Sequence, residues 1–588
     1  MKTSRSPQEW VHWLEIGPGA RWIRIAALLV GVLLLSLRIG YTQFRGPRTE
    51  TTLAQAVVGR QVAAGEGFTT LVRYPQSLAV LRARGHKPDF ERAWPELHQA
   101  PLYPTVIGGA LSILPARMRH ALFQNAPQGI DGFRADYLLL VLNVVLLWIA
   151  AVLTWLLGRK LFDANVGLLA MLGLLLCSTI WAQTVAVNGT PLMMLLLLGL
   201  AHFLVRGDGA AATGKPLRPW FFMAGVTCGL MCLCDYTACL VVLPVLAYAG
   251  LRCRGGARMA AILGVAIGFI LVVYPWMSRN VGLTDNPFGL GGQSVALKAG
   301  DPTAEPEIVR NTLSAESPAI LLNKIGNKGL TALQVALGGQ IWAGGLLFTA
   351  LFVVSLLYRF RSSLVNRMRW ALLAILVVLV VSFAFLDSGE GERFPAFYAV
   401  PIVTVFGAGF FAVLVASNEK FALAGRWLAA ALLGLQALPL AHDVLEPYRG
   451  HFSYPPYYPN IYCGMRDDSN RRGGAAWMAD VPAGAAWYSG QCVWSQPATL
   501  REFYEIGVDQ PPYALVLGPK TLSRPFFGGL NRIGSDPSRL GEWAQVYTWL
   551  VTNRPPPRFP LTVAQKFTDD LYVLFDPRAV YANTAPGK

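Results

Sequence analysis

The chain has 588 residues, 54% hydrophobic and 14% charged, with a mean hydropathy of +0.41 and a formal net charge of +16. That balance excludes an ordinary soluble domain and points to a multi-spanning membrane protein. The positive charge gathers in short loops between apolar runs, so it follows from membrane topology and gives no reason to invoke nucleic acid.

The first apolar run, Ile23 to Leu37, follows Lys2, Arg5, Arg21 and Arg24. Ser36-Leu37-Arg38-Ile39-Gly40 offers no small-x-small cleavage site. The run therefore reads as an uncleaved span with a cytoplasmic N-terminus. Next comes a polar segment, Arg45 to Pro104, around which the chain is organised. Pro47 and then Thr49 mark a helix start, with Thr49 as N-cap and Glu50 at the first helical position. Leu53, Ala56, Val57 and Ala64 recur at helical spacing until Gly65 and Gly67 stop the helix. An acid in the first turn meets the positive end of the helix dipole, so Glu50 is expected to stay ionised at neutral pH. That suits a carboxylate that accepts a proton or holds a cation; it equally suits plain stabilisation of a helix end. The apolar stretch Leu102 to Leu114 is too short to span and reads as a surface-lying or re-entrant helix.

Further apolar runs lie near 135–158, 163–185, 190–205, 218–235, 236–250, 257–276, 332–357, 369–387, 395–416 and 425–441, which makes about eleven spans. Alternating from an inside N-terminus puts five basic loops on the cytoplasmic side. They carry Arg159 and Lys160; Arg206, Lys215 and Arg218; Arg252, Arg254 and Arg258; Arg359 to Arg369; and Lys420 and Arg426. The large polar regions, 41–134, 277–331 and the tail from 442 to 588, then share the outer side with the short turn 387–394. An active site at the outer membrane surface is the economical expectation.

Cys228, Cys232, Cys234 and Cys239 cluster within a hydrophobic hairpin without a paired C-x-x-C module, so they read as small buried residues rather than metal ligands. Asp235 beside them falls at an outer turn. The span ending Tyr274-Pro275-Trp276-Met277-Ser278-Arg279-Asn280 places Trp276 at the interface and Arg279 just outside. The following outer loop holds Lys298, Arg310, Lys324 and Lys328, basic against the usual trend, which suggests an anionic ligand. In the tail, 484–488, 513–518 and 571–576 read as short buried strands, with helices near 497–507 and 537–552. That alternation gives a small α/β domain with a partly parallel sheet. No G-x-G-x-x-G follows a strand, so nucleotide binding has no support. Cys463 and Cys492 would lie in an oxidising compartment, where either a disulfide between them or two free thiols is expected. The expected division is a membrane domain, 1–441, that includes the outer loop 41–134, and an outer α/β domain, 442–588.

Taken in order, these features carry a resemblance. One span precedes an outer loop opening on an acid at a helix start. The box His98-Gln99-Ala100-Pro101-Leu102-Tyr103-Pro104 closes that loop. Pro275-Trp276…Arg279-Asn280 leaves a span, and Glu392-Arg393-Phe394…Tyr398…Pro401 enters another. This resembles the GT-C glycosyltransferases, in the branch of the protein O-mannosyltransferases and lipid A aminoarabinose transferases, over roughly residues 20–440. The resemblance implies a GT-C-like polytopic α-helical membrane protein with a C-terminal extracytoplasmic α/β domain, in a bacterial inner membrane. It implies transfer of a sugar, with inversion, from a polyprenyl-phosphate donor to a glycan, lipid or protein acceptor on the outer face. By the same resemblance Glu50 is the catalytic base, while His98, Tyr103, Arg279 and Arg393 bind substrate or the lipid phosphate. Fixed guanidinium groups would stabilise the charge gained by a departing phosphate. Relatives often carry an Asp-Glu pair in the first loop and another acid in the third-to-fourth hairpin. Here Thr49-Glu50 and Asn188-Gly189-Thr190 stand there, so no metal ligands are assigned and a divalent cation is left open as a cofactor. The alternative from another class is a non-catalytic membrane scaffold or receptor whose outer domain binds a glycan.

Overall fold

The computed structural model describes residues 18–124, 132–213, 218–291, 309–315, 339–386, 395–417, 419–445, 457–522, 541–552 and 554–578. Helix α1 (Pro18–Gln43) leads to a first polar loop that carries α2 (Glu50–Ala64), α3 (Pro75–Ala83), α4 (Leu102–Ile113) and α5 (Ala116–Gln124). The chain then runs through α6 (Arg134–Leu161), α7 (Ala164–Leu175), α8 (Ser178–Val185), α9 (Thr190–Thr213) and α10 (Arg218–Cys234). A 3-10 turn (Tyr236–Val241) precedes α11 (Val242–Arg252) and α12 (Gly256–Thr284). The last membrane helices are α13 (Leu346–Leu357), α14 (Ser363–Leu386), α15 (Pro395–Ala416) and α16 (Glu419–Leu445).

Among the described residues seven helices are long and apolar enough to cross a membrane, and α7 with α8 forms an eighth candidate bent by 55°. The protein is an integral membrane protein. Two of the runs expected to span, which became α10 and the 236–252 segment, are shorter apolar helices of 10–17 residues, as is α13, the helix in the described part of the run at 332–357. The bend after α7 is locally satisfied: Trp181 Nε1 donates to the freed carbonyl of Leu175 at 2.7 Å, as hydrocarbon requires. The short α10 is held against α12 by glycines. A Cβ on Gly225 would collide with the Val265 carbonyl, and one on Gly268 with the carbonyl of Phe222. Small residues let membrane helices approach this closely and gain dispersion contact where lipid offers no hydrophobic drive. The four neighbouring cysteines are free thiols, three of them buried in this packing.

At one end of the bundle the basic loops converge on Asp208, which is 1% exposed. Its carboxylate accepts from Arg252 Nε at 2.6 Å, Arg367 Nη2 at 2.7 Å and Tyr248 OH at 2.8 Å, clasping α9, α11 and α14 together. At the opposite end the first and last spans meet: Gln43 Nε2 donates to the Asp443 carbonyl at 2.7 Å, and Arg38 Nε to the Val444 carbonyl at 3.1 Å. Three of the five basic loops assigned to one side from sequence, those at 206–218, 252–258 and 359–369, thus meet at one end of the bundle.

The polar head is built jointly by the first polar loop and the tail. In the tail, α17 (Pro459–Arg471), α18 (Pro482–Ser489), α19 (Leu500–Asp509) and α20 (Gly541–Thr552) surround a six-stranded sheet. Numbered along the whole chain, the strands are β1 (Thr69–Thr70), β2 (Val72–Arg73), β3 (Trp94–Pro95), β4 (Trp477–Ala479), β5 (Val493–Ser495), β6 (Ala514–Leu517), β7 (Val563–Thr568) and β8 (Leu571–Phe575). The sheet order is β2-β5-β4-β6-β8-β7, parallel from β2 to β6 and antiparallel through β8 and β7. Strand β2 comes from the first polar loop, with Val72 opposite Val493 and Arg73 opposite Trp494. Leu78 and Trp94 of that loop share a core with Met478, Trp494, Phe503 and Ile506 of the tail.

The expected α/β tail is therefore present, with its strands at 514–517 and 571–575 and its helices near 500 and 545 where the sequence put them. The expectation at 484–488 is corrected: this stretch is helix α18, not a strand. Pro482 at its first turn and Gly490 as a left-handed C-cap (φ 70°) are its punctuation. Every residue from Pro482 to Ser489 is buried, so no amphipathic period marks it as helical. Of the two alternatives for Cys463 and Cys492, a disulfide or two free thiols, the structure has the second. Cys463 and Cys492 are free, the first directed at the Tyr488 carbonyl (3.7 Å) and the second at that of Arg92 (3.8 Å).

Candidate functional site

Helix α2 starts as its sequence dictates. Thr49 is extended and its hydroxyl accepts from Thr52 N at 3.2 Å, while Gly65 closes the helix in the left-handed region at φ 86°. Helix α4 packs across α2 where glycine meets glycine: a Cβ on Gly59 would lie 2.7 Å from Ile107 Cγ2, and one on Gly108 would lie 2.8 Å from Val62 Cγ1. This crossing holds the C-terminal half of α2, whose first turn carries the half-buried Glu50.

Glu50 reaches the tail. Its carboxylate accepts from the backbone N–H of Ala483 at 2.5 Å and of Gly484 at 3.4 Å, the first turn of α18. The other end of the same helix meets a cation: Arg60 Nη1 donates to the Trp487 carbonyl at 3.0 Å, with its guanidinium 4.0 Å over the Phe123 ring. An anion at the helix N-terminus and a cation at its C-terminus both suit the dipole. Burial first, and then the neighbouring Arg466, bring the Arg60 pKa down to about 10, so it stays charged at neutral pH. Between these ends Trp487 Nε1 (2.8 Å) and Tyr488 OH (3.0 Å) donate to the buried carboxylate of Asp136 at the start of α6. Helix α18 is thus the joint between tail, first polar loop and membrane bundle.

His98 lies in a second cluster, 6% exposed. Its Nε2 is 3.0 Å from Ser77 Oγ and its ring meets Tyr74 edge-on at 4.8 Å. Its Nδ1 is buried without a hydrogen-bond partner among the described residues. Burial first, then the charge of Arg310, hold the imidazole pKa well below its usual value, so His98 is neutral near pH 7. Two residues upstream, Glu96 accepts from the N–H groups of His98 (2.6 Å) and Gln99 (2.9 Å). Burial raises the Glu96 pKa, opposed by those two amides and by Arg279 and Arg310. Arg279 joins the same cluster: it donates to the backbone carbonyls of Glu96 at 2.9 Å and Phe68 at 3.1 Å, and lies 4.5 Å over Trp276. The structure therefore brings His98 and Arg279 together through Glu96.

Tyr103 is fully buried, its hydroxyl sharing a proton between Asn143 Oδ1 (3.0 Å) and the Val187 carbonyl (2.8 Å). Asn143 Nδ2 donates to the Asn188 carbonyl at 2.9 Å, and Asn188 Nδ2 to Gln183 Oε1 at 2.7 Å. These neutral amides satisfy one another at the turn where relatives place a second acid, so the donor set there does not fit a divalent cation. Among the described residues no three His, Cys, Asp or Glu side chains gather as metal ligands. Asp235 caps its 3-10 turn, accepting from Thr237 N at 3.0 Å and its hydroxyl at 2.8 Å. Arg393, with Lys298, Lys324 and Lys328, lies outside the described residues.

Sequence reasoning missed Glu96, although its place two residues before His98 was a usable signal. It also missed Asp480, at the C-terminal end of β4 in the parallel part of the sheet, where such sheets bind ligands. Asp480 is 6% exposed and its Oδ2 accepts from Gly518 N at 2.8 Å, while Oδ1 is buried without a partner among the described residues.

Comparison with known proteins places this architecture. Residues 124–278 match the family model of dolichyl-phosphate-mannose-protein mannosyltransferases. The oligosaccharyltransferase of Archaeoglobus fulgidus with an NVT-sequon acceptor peptide tethered shares the fold at a TM-score of 0.52 and 10% identity, over 86% of this chain and 69% of that one. The same enzyme in complex with Zn and sulfate gives 0.52 at 10% identity, over 82% and 67%. ArnT from Cupriavidus metallidurans in the apo state aligns over 97% of this chain and 100% of that one, at 13% identity and a TM-score of 0.49. No curated protein matches the chain by sequence. The chain has the GT-C membrane fold, as its boxes and order of spans suggested.

Proposed function

We propose that the protein is a glycosyltransferase of the bacterial inner membrane that moves a sugar from a polyprenyl-phosphate donor to an acceptor on the outer face, with inversion. The observation that carries the reading is the GT-C fold with a carboxylate, Glu50, on the first turn of the first outer helix. An acceptor hydroxyl attacks the anomeric carbon as the bond to the phosphate oxygen breaks. The polyprenyl phosphate leaves with the electron pair, and Glu50 takes the hydroxyl proton. Arg279 and Arg393 supply fixed positive charge toward the departing phosphate. Arg279 is prepositioned by the carbonyls of Glu96 and Phe68, and neutral His98 holds the loop beside it. The tail, whose helix α18 sits on Glu50, would shape access of a glycan, lipid or protein acceptor.

That same contact favours a second reading. A carboxylate that holds Ala483 and Gly484 is also what a non-catalytic scaffold with a glycan-binding head would need to dock its tail. Transfer by the purified chain from a panel of polyprenyl-phosphate sugars, run beside Glu50→Gln, separates the two. Turnover by the parent that Glu50→Gln abolishes establishes the enzyme and its base. No turnover with any donor, in protein that melts cooperatively, gives the scaffold.

A further inference from the structure

At the end of the bundle away from the polar head, α6 and α9 enclose a cavity of about 600 Å³. Leu153, Leu156 and Phe203 form an apolar wall, and Gly199 leaves room in it. The mouth carries Arg159, Lys160 and Arg206, and no acidic side chain lines the space. All three cations are exposed, and among the described residues none forms an ion pair. Arg159 and Arg206 instead lie over the rings of Trp155 (5.6 Å) and Trp220 (5.1 Å). The nearby Asp208 does not neutralise them, because Arg252 and Arg367 already occupy it. His202 sits between wall and mouth with Nε2 held 3.0 Å from the Leu153 carbonyl.

We infer that this groove binds an anionic diacyl phospholipid of the bilayer. The headgroup phosphate would lie among Arg159, Lys160 and Arg206, with the upper part of an acyl chain along Leu153, Leu156 and Phe203. Uncompensated basic side chains around an apolar cleft between membrane helices are the physical signature of anionic headgroup recognition. The polyprenyl donor is not the occupant. From Asp136, which touches the tail, to Arg159 the helix rises by roughly 35 Å, about a membrane thickness. The groove is thus at the leaflet opposite the head.

The test is native mass spectrometry of the full chain in detergent, titrated with phosphatidylglycerol, phosphatidylcholine or undecaprenyl phosphate. Phosphatidylglycerol should be retained at concentrations at least about tenfold lower than phosphatidylcholine. Each neutralised cation should weaken that retention roughly fivefold, so Arg159→Gln, Lys160→Gln and Arg206→Gln together should weaken it on the order of a hundredfold. Gly199→Leu provides a variant that keeps every charge. A Cβ there is in no more than ordinary contact, 4.0 Å from Thr227 Cγ2, and the longer side chain fills the cleft, so it should also lose the lipid. Equal retention of the two phospholipids overturns the assignment, as does unchanged phosphatidylglycerol binding in either variant. Loss of undecaprenyl phosphate binding in the same two variants would overturn it too, by making the groove a donor site.

Discussion

Replacing Glu50 by glutamine tests the joint between loop and tail directly. The carboxylate holds two N–H groups of α18, at 2.5 and 3.4 Å, and presents its charge to the positive end of that helix. A hydrogen bond to a charged acceptor contributes about 1.5–3 kcal/mol, against about 1 kcal/mol for a neutral one. The dipole term adds about 0.3–1 kcal/mol. Glutamine keeps one acceptor oxygen but turns an NH₂ group toward the other amide, so the loss should be about 2 kcal/mol, roughly thirtyfold in the local opening equilibrium. Hydrogen–deuterium exchange over Ala483 to Gly490 reads this quantity, since those amides become exposed when the joint opens. Exchange there should accelerate by about that factor, while peptides in α9 or α15 keep the parental rate. Parental exchange over α18 in the variant would refute the argument that Glu50 anchors the tail. Joined to the transfer assay, the measurement also separates anchoring from chemistry. A variant with parental exchange and abolished turnover would leave Glu50 as base alone.

Asp208→Ala strands the guanidinium groups of Arg252 and Arg367 around an emptied site and should cost about 3 kcal/mol or more; thermal unfolding in detergent checks this, and Arg367→Met added to it should cost little further. Tyr103→Phe leaves Asn143 Oδ1 and the Val187 carbonyl short of a donor and should cost about 1–3 kcal/mol of stability. An unchanged melting temperature with a raised KM for the donor would instead make Tyr103 a substrate contact. Stability should fall on acidification through His98. Its folded pKa lies well below its unfolded value of about 6.5, so the unfolded chain binds more protons, and stability present above that pH is lost as pH drops through and below it. Arg279 and Arg310 stay charged throughout that range. Buried Glu96, whose folded pKa is raised, acts in the opposite sense by protonating more readily in the folded state. His98→Gln, which keeps a donor for Ser77, should flatten the fall in melting temperature between about pH 7 and 5. A parental slope in that variant would assign the acid sensitivity elsewhere.

The sequence by itself determined that the chain is a polytopic helical membrane protein, because that rests on rules local to each segment. Long apolar runs must be helical in hydrocarbon, and three of the five basic loops assigned to one side meet at Asp208. The start and stop of α2 were equally legible, since Thr49 and Gly65 act on backbone groups a few residues away. What failed to show was whatever depended on burial from all sides or on distant partners. Helix α18 has no polar face, so neither helical nor strand period distinguishes it, and strands of two or three residues such as β2, β4 and β5 are too short to carry a pattern. Only the tertiary structure made Glu50 a neighbour of Ala483, 433 residues along the chain, and put β2 of the first polar loop into the sheet of the tail. It also turned Arg279 toward the backbone of the first polar loop, at Glu96 and Phe68, and set Arg159 and Arg206, from separate helices, at one cleft. A side chain's type and spacing fix what chemistry it can do, but its partner is chosen by packing among elements far apart in the chain, which no local pattern encodes.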